Sequence, residues 1–200
     1  MFERRSALAS AFDKAPSSEA NRTARLKIGE VRGWSLIQIA AFASTLPQLQ
    51  SAAEPLLGFD LPQRIGVAQE MEGRLVMKTG PEQFWILGPA HDDLSKRLLT
   101  AVAPAVGAVT PLSHSRTRIF IEGADAREVL ARGIPIDFHP EVFATGHFAL
   151  TSLHHTPVLV HRVAAARYEI YAMRTFAFSI WELVADAALS FGPEIQPPLA

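Results

Sequence analysis

The residue types that bind metals or transfer protons are present in the C-terminal half of the sequence. Asp137 and His139 would lie on one side of an extended segment, and His147 and His161 are the histidines that could join them. A metal centre needs several such ligands that converge on one point. Neither a recognised motif nor a convergent spacing is present, so we predict ordinary loop and surface histidines and no metal-ligating residues.

A serine nucleophile beside its base is suggested by Ser113, His114 and Ser115, because a catalytic serine needs a histidine within hydrogen-bonding reach. Neighbours in sequence rarely face each other, however, and no carboxylate is placed to orient this histidine. The sequence also has no cysteine, no dinucleotide-binding or phosphate-binding glycine motif, and no metalloprotease or hydrolase signature. We therefore predict that no residue of this chain is catalytic and that none binds a cofactor.

Two segments of the second half are open to a structural or a partner-binding interpretation. Arg116 and Arg118 share a face if they lie on a strand, and arginine suits both buried ion pairs and protein interfaces. They either pair with core carboxylates or bind a partner protein. Residues 134–140 are apolar and bracketed by prolines, so they form either a rigid connection after a helix or a docking loop.

Arg174 begins the last predicted helix, where the helix dipole disfavours a cation, so we expect this side chain to have a specific partner. Together with the two arginines and the proline-bracketed loop, it defines a candidate surface for another protein. The candidate interface residues are Arg116, Arg118, Ile134, Ile136, Asp137, Phe138, His139 and Arg174.

The elements that position these residues recur along the chain. Apolar residues at a period of two predict strands, and apolar residues at helical spacing predict helices. The order strand–helix–strand–strand–helix is found twice, with an offset of about 82 to 84 residues. The expected strands are residues 34–41, 74–78, 83–87, 117–121, 157–163 and 167–173. One helix is expected after Thr45, with an early end at Pro55. Three more helices are expected at residues 91–102, 124–132 and 175–191.

This order predicts an α+β fold in which two repeated units form one globular body from residue 24 to residue 192. The first unit spans about residues 24–110 and the second about residues 111–192. Residues 1–23 are rich in serine, alanine and charge without clean periodicity, which predicts a flexible N-terminal arm. Three prolines in residues 193–200 predict an extended tail.

Length and composition exclude several classes of protein. The 200 residues are 48% hydrophobic and 20% charged, which is enough apolar surface for a packed core and excludes global disorder. A formal net charge of -1 at pH 7 provides no general attraction to nucleic acid. The uncharged stretches are interrupted by polar residues or prolines, and the opening residues lack the apolar core of a signal peptide. We expect a cytoplasmic protein that binds neither nucleic acid nor a membrane.

The gamma subunits of heterotetrameric sarcosine oxidase resemble this chain most strongly in two stretches. These are SHSRTRIFIEGADAREVLARGIPIDFHPEVF at residues 113–143 and YEIYAMRTFAFSIWELVADAALSFG at residues 168–192. Residues 5–8 and 84–89 resemble the family more weakly. That family is similar in fold to the aminomethyltransferase of the glycine cleavage system, and the strand-to-helix start at residues 119–126 is the shared signature. The resemblance implies an aminomethyltransferase-like, folate-binding-like body.

The resemblance also implies a function. The chain would be a non-catalytic accessory subunit that contributes to the assembly and stability of a flavoenzyme that oxidatively demethylates sarcosine. Its partners would be the alpha, beta and delta subunits, and FAD, FMN, NAD and tetrahydrofolate would be bound in those partners. The alternative is a stand-alone folate-binding or aminomethyl-transferring enzyme. The aminomethyltransferases carry an aspartate in the loop that corresponds to residues 153–156, where this sequence has no carboxylate.

Overall fold

The computed structural model describes residues 5–13 and 25–199. The chain is a mixed α+β fold with two β-sheets, as the sequence predicts. It divides into two compact units. The discontinuous unit is formed by Met1–Arg32 and His114–Ala200, and the continuous unit is formed by Gly33–Ser113. None of the helices within the described ranges is both long and apolar enough to cross a membrane.

The described residues of the two units form eleven strands and five α-helices. The strands are β1 (Leu26–Glu30), β2 (Trp34–Ala41), β3 (Ala68–Met71), β4 (Arg74–Gly80), β5 (Gln83–Pro89), β6 (Gly107–Pro111), β7 (Arg116–Gly123), β8 (Phe148–Leu153), β9 (Thr156–Ala164), β10 (Arg167–Met173) and β11 (Glu194–Ile195). The helices are α1 (Ala9–Asp13), α2 (Leu46–Leu57), α3 (Leu94–Ala101), α4 (Ala126–Ala131) and α5 (Ala177–Ala188). Single turns of 3-10 helix flank α5 at Arg174–Phe176 and Leu189–Phe191.

The continuous unit is an antiparallel sheet with the strand order β3–β4–β5–β2–β6. Ile37 and Ile39 alternate along β2 and are buried in one apolar cluster with Leu49 of α2 and Leu98 of α3. The buried face of the sheet and the apolar faces of the two helices therefore pack together into one core. Pro55 does not end α2, contrary to the prediction, because the helix continues to bury Leu57 and ends at Gly58 with a φ of 83°.

The discontinuous unit is a six-stranded sheet with the order β11–β1–β7–β10–β9–β8. All neighbouring strands are antiparallel except β1 and β11, which run parallel. Ile119 and Ile121 of β7 and Ile170 of β10 are fully buried in a cluster that includes Ile180 and Trp181 of α5. Trp181 therefore lies in the core of this unit.

Five strands, β1, β3, β6, β8 and β11, lie outside the order that the sequence predicts, and two of them cross between the units. β1 pairs with β7, and β6 pairs with β2, both antiparallel. In the chain, β1 leads into β2 and β6 leads into β7, so each of these strands belongs to one unit and continues into the other. The prediction assigns β1 to the first repeated unit, whereas the observed division groups it with the residues after Ser113.

The N-terminal segment at residues 5–13 is packed against the discontinuous unit. Leu8 is fully buried in its core, and the ring centroid of Phe12 lies 4.9 Å from that of Trp181. The Ser6 hydroxyl lies within 2.7 Å of both carboxylate oxygens of Glu30. This segment differs from the expected flexible arm because its apolar side chains are enough to hold it on the core. The other residues of the expected arm, 1–4 and 14–23, lie outside the described residues.

The C-terminal segment runs extended along β1. Its short strand β11 pairs with β1, and further along the Leu199 amide donates to the Glu30 carbonyl at 2.8 Å. The exposed edge of β1 is therefore covered by residues 194–199, which leaves fewer unpaired backbone groups at that edge of the sheet.

Candidate functional site

The proline-bracketed loop at residues 134–140 directs its largest apolar side chains into the chain's own core. Ile134 is 2% exposed and Phe138 is 3% exposed, and Ile136 is half-buried against the same cluster. The Phe138 ring packs edge-on against Phe143 and Tyr168, with centroid distances of 5.6 and 5.7 Å. Ile134 and Phe138 therefore cannot supply the exposed docking surface that the sequence suggests, because their apolar area is already covered within this unit.

The polar members of the same loop remain at the surface. An Asp137 carboxylate oxygen accepts a hydrogen bond from the His139 amide at 2.7 Å, which fixes a local turn. The His139 ring is exposed, and its Nδ1 lies 3.9 Å from the Glu141 carboxylate. The structure therefore uses Asp137 to shape the backbone rather than to converge with histidines. No group of three or more potential metal ligands is found within residues 5–13 and 25–199.

Arg174 has the specific partner that its position requires. It lies in the 3-10 turn before α5, and its guanidinium donates to the Arg5 carbonyl at 2.6 Å. The contact joins the N-terminal segment to the start of the last helix. Arg116, at the start of β7, is half-buried and donates to the Ser115 carbonyl and hydroxyl at 3.3 and 3.1 Å. Both arginines therefore have contacts inside the chain.

Arg118 is part of a buried charge network on the discontinuous sheet. Its Nε donates to Glu169 Oε2 at 2.8 Å, and a second guanidinium nitrogen lies 2.7 Å from the same oxygen. The Tyr171 hydroxyl also donates to Glu169 Oε2 at 2.8 Å. Arg167 lies 3.6 Å from the other Glu169 oxygen and donates to Glu122 at 2.8 Å. Of the two interpretations open for Arg118, the structure therefore shows pairing with a core carboxylate.

The charges of these four side chains balance. Glu169 is only 1% exposed and lies between two arginines, and the second carboxylate, Glu122, is partly exposed and pairs with Arg167. Burial and the nearby Glu169 carboxylate raise the pKa of Tyr171 well above its ordinary value, so its hydroxyl stays protonated and keeps donating. Such a set of side chains positions strands and does not present a free base to a substrate.

His161 lies on β9 directly opposite Glu169 of β10 and is 4% exposed. Its pKa is lowered from 6.5 to about 4, mainly by burial, with Glu169 opposing the shift and Arg118 adding to it. The ring is therefore neutral at physiological pH, and its Nδ1 has no hydrogen-bond partner among the described residues. Sequence reasoning missed the pairing of His161 and Glu169, although both residues lie in correctly predicted strands.

The serine and histidine pair that suggested a nucleophile has a structural role. The Leu36 amide donates to the Ser113 hydroxyl at 2.9 Å, and the hydroxyl donates back to the Leu36 carbonyl at 3.3 Å. These bonds tie the end of the continuous unit to β2. They give the Ser113 hydroxyl backbone partners, whereas nucleophilic catalysis needs a histidine that accepts its proton.

Comparison with known proteins identifies the family. The family model described as sarcosine oxidase, gamma subunit family, matches residues 41–190. The chain belongs to the sarcosine oxidase gamma subunit family. The gamma subunit from Corynebacterium sp. strain P-1 is 30% identical over 145 residues, which cover 72% of this chain and 71% of that protein. The gamma subunit from Corynebacterium sp. strain U-96 is 28% identical over 186 residues, which cover 88% and 90%.

A solved structure supports the family assignment over almost the whole chain. A chain of the heterotetrameric sarcosine oxidase from Corynebacterium sp. U-96 superposes with a TM-score of 0.80 at 26% identity, covering 94% of this chain and 96% of that one. The aminomethyltransferase T of the glycine cleavage system from Bartonella henselae superposes with a TM-score of 0.64 at 14% identity. This superposition covers 88% of the gamma subunit family member described here but only 48% of the transferase, and it shows that the two share a fold.

Proposed function

We propose that this chain is an accessory subunit of a sarcosine oxidase-like heterotetramer that oxidatively demethylates sarcosine, and that it contributes to the assembly and stability of the complex. The observation that carries the proposal is the end-to-end structural match to a chain of a heterotetrameric sarcosine oxidase. A match that leaves almost nothing of either chain uncovered is what an equivalent subunit would give. The likeness to aminomethyltransferase T concerns the fold and brings no folate chemistry to this chain.

A non-catalytic role agrees with how the chain uses its polar side chains. The residues best suited to acid–base chemistry, His161 and Glu169, are buried inside the charge network. The loop that carries an aspartate in the resembling transferases is here the tight turn between β8 and β9, where His154 has a φ of 50°. Its residues 153–156 include no carboxylate. The chemistry of the proposed complex therefore belongs to its other subunits.

In this proposal the partners are the alpha, beta and delta subunits of the complex, which works in the cytoplasm. FAD, FMN, NAD and tetrahydrofolate are held by those subunits, and this chain itself binds none of the four. The support is the family membership together with the resemblance of residues 113–143 and 168–192 to the family. Neither nucleic acid nor a membrane is a partner in this proposal.

The proposed contact surface is the exposed region of the discontinuous unit around the start of α5. Three large apolar side chains there, Met173, Phe176 and Phe178, are 41 to 43% exposed. Exposed apolar residues close together in a chain are typical of surfaces that another protein covers. Asp137 and His139, the exposed polar residues of the proline-bracketed loop, are the other candidates. Arg118, Ile134 and Phe138 are no longer candidates, because each is engaged inside the unit.

The repeated-unit organisation is also part of the proposal. The first residues of corresponding strands and helices are separated by an almost constant offset of about 80 to 84 residues, and the two sheets share the order in which those strands pair. With this offset β1 corresponds to β6. The repeat therefore begins at β1 and at β6, and each repeat contributes its opening strand to the sheet of the other.

The test is co-purification from the native host with an affinity tag on this chain. We expect larger chains at a constant ratio and flavin absorbance in the same fraction. A colourless fraction that contains this chain alone would contradict the proposal. The surface is tested by the double variant Phe176→Ser/Phe178→Ser, which should lose the partner chains. The matched control is Ile65→Ser/Leu99→Ser, which changes two somewhat more exposed apolar side chains of the continuous unit and should keep the partner chains.

A further inference from the structure

A small pocket of about 210 Å³ opens on the discontinuous unit, where the β7–α4 turn meets the β9–β10 turn. Gly123, Arg127, Arg162 and Tyr168 are among its lining residues. Pockets for drug-sized ligands measure roughly 300 to 1,000 Å³, so this one fits a molecule of only a few heavy atoms. None of its lining residues belongs to the buried charge network.

Arg162 is the unusual residue of this pocket. Its side chain is nearly enclosed, since the residue is only 7% exposed, and its guanidinium donates to the carbonyls of Phe143 and Ala165, both at 2.7 Å. None of the described residues accepts a hydrogen bond from its buried Nε. Within the described part of the chain no carboxylate pairs with Arg162, in contrast to Arg118, whose charge Glu169 balances. A buried cation without a counterion is costly, so an anion at this point would be stabilised.

Arg127 and Tyr168 complete the same electrostatic environment. Both arginines and Tyr168 line the pocket, and the Arg162 guanidinium carbon lies 5.7 Å from the centroid of the Tyr168 ring. Burial raises the pKa of Tyr168, and the charges of Arg162 and Arg127 oppose this shift. Since the hydroxyl stays protonated at neutral pH, the pocket combines two cations with a neutral hydrogen-bond donor, and none of the described residues that line it is acidic.

We propose that this pocket binds a small oxyanion, either inorganic phosphate or a small carboxylate. Arginine presents several N–H donors in a planar fork that matches both groups, and Arg162 uses only two of its five N–H donors on the carbonyls. In this proposal the exposed Arg127 binds the anion on the solvent side of the pocket, and the Tyr168 hydroxyl donates a further hydrogen bond to it. The inference does not depend on the proposed function, because it uses only residues of this unit.

The experiment is calorimetric titration of the purified full chain with sodium phosphate and, separately, with sodium acetate, each against sodium chloride at equal ionic strength. We expect saturable binding of at least one of the two oxyanions. Phosphate binding alone would identify a tetrahedral oxyanion site, and acetate binding alone a carboxylate site. If neither anion binds more tightly than chloride, the proposal is wrong.

Two conservative variants assign the binding to the pocket. Arg127→Gln changes an exposed residue and Tyr168→Phe removes only a hydroxyl, and each should weaken the affinity about tenfold or more, because each removes a bond to a charged group. Arg97→Gln removes an equally exposed arginine from α3, outside the pocket, and should bind as the wild type does. Wild-type affinity in Arg127→Gln with unchanged circular dichroism would overturn the assignment.

Discussion

Replacing Glu169 by glutamine is the most informative perturbation of the discontinuous unit. The change keeps the shape of the side chain but removes the charge that accepts from Arg118 at 2.8 Å and from Tyr171 at 2.8 Å. Because Glu169 is 1% exposed, water cannot replace the lost charge. Breaking a buried ion pair by removing one partner typically costs about 3 to 5 kcal/mol, and we expect a decrease of this size in the free energy of unfolding.

The assay is urea unfolding of the purified chain, followed by circular dichroism, with thermal unfolding as a second measurement. For a chain of this size a loss of about 3 to 5 kcal/mol corresponds to a decrease in Tm of roughly 6 to 20 °C. The matched control is Glu182→Gln on the exposed face of α5, which should change the free energy of unfolding by less than about 0.5 kcal/mol.

The double variant Arg118→Met/Glu169→Leu separates charge from packing. Replacing both partners by apolar residues leaves no uncompensated charge, so it should cost less than Glu169→Gln alone. If Glu169→Gln is as stable as Glu182→Gln, the network does not hold the sheet together and the reasoning fails. If the double variant is the least stable of the three proteins, the loss of stability comes from packing rather than from the uncompensated charge of Arg118.

Two further predictions concern His161 and the N-terminal segment. The pKa of His161 falls from 6.5 to about 4 on folding. The stability of the folded state is therefore unaffected by this residue above pH 6.5 and decreases as the pH falls towards 4, because the unfolded chain binds the proton more readily. Urea unfolding at a series of pH values should show a loss of about 3 kcal/mol over this range, which His161→Gln should largely abolish and the exposed His139→Gln should retain. Leu8→Ala should lower the free energy of unfolding by about 2 to 5 kcal/mol, because Leu8 is fully buried, whereas Leu189→Ala, at a residue that is 69% exposed, should have little effect. Equal effects of the two leucine variants would mean that residues 5–13 do not belong to the core.

The strands that the sequence predicts well are those with a strong period of two. β2, β7 and β10 carry isoleucine or tyrosine at alternate positions, and the sequence identifies the face that packs into the apolar cluster. In β7 and β10 the opposite face is also partly buried, as Phe120 and Tyr171 show. β1 and β6 were missed because each has only five residues, with a glycine inside β1 and both glycine and proline in β6. Their pairing depends on tertiary contacts rather than on their own composition.

The candidate site was less predictable for a physical reason. The alternation of Arg116 and Arg118 indicates a shared face, but the partner of Arg118 lies 51 residues further along the chain, on a different strand. For residues 134–140, apolar composition indicates burial without saying whether this chain or another covers the loop. The position of Phe138 between Phe143 and Tyr168 settles that question for the phenylalanine.

The pairing of β1 with β7 has a consequence for how the chain folds during its synthesis. The continuous unit contains all the strands of its own sheet, so it can fold as soon as β6 has left the ribosome. β1 is synthesised first, but β7 follows about 90 residues later, a delay of roughly 5 to 20 s at typical translation rates. During this time β1 has no sheet to join, and its apolar residues Leu26 and Ile28 remain uncovered. The discontinuous unit is therefore the last to fold and the one most exposed to aggregation in a newly made chain.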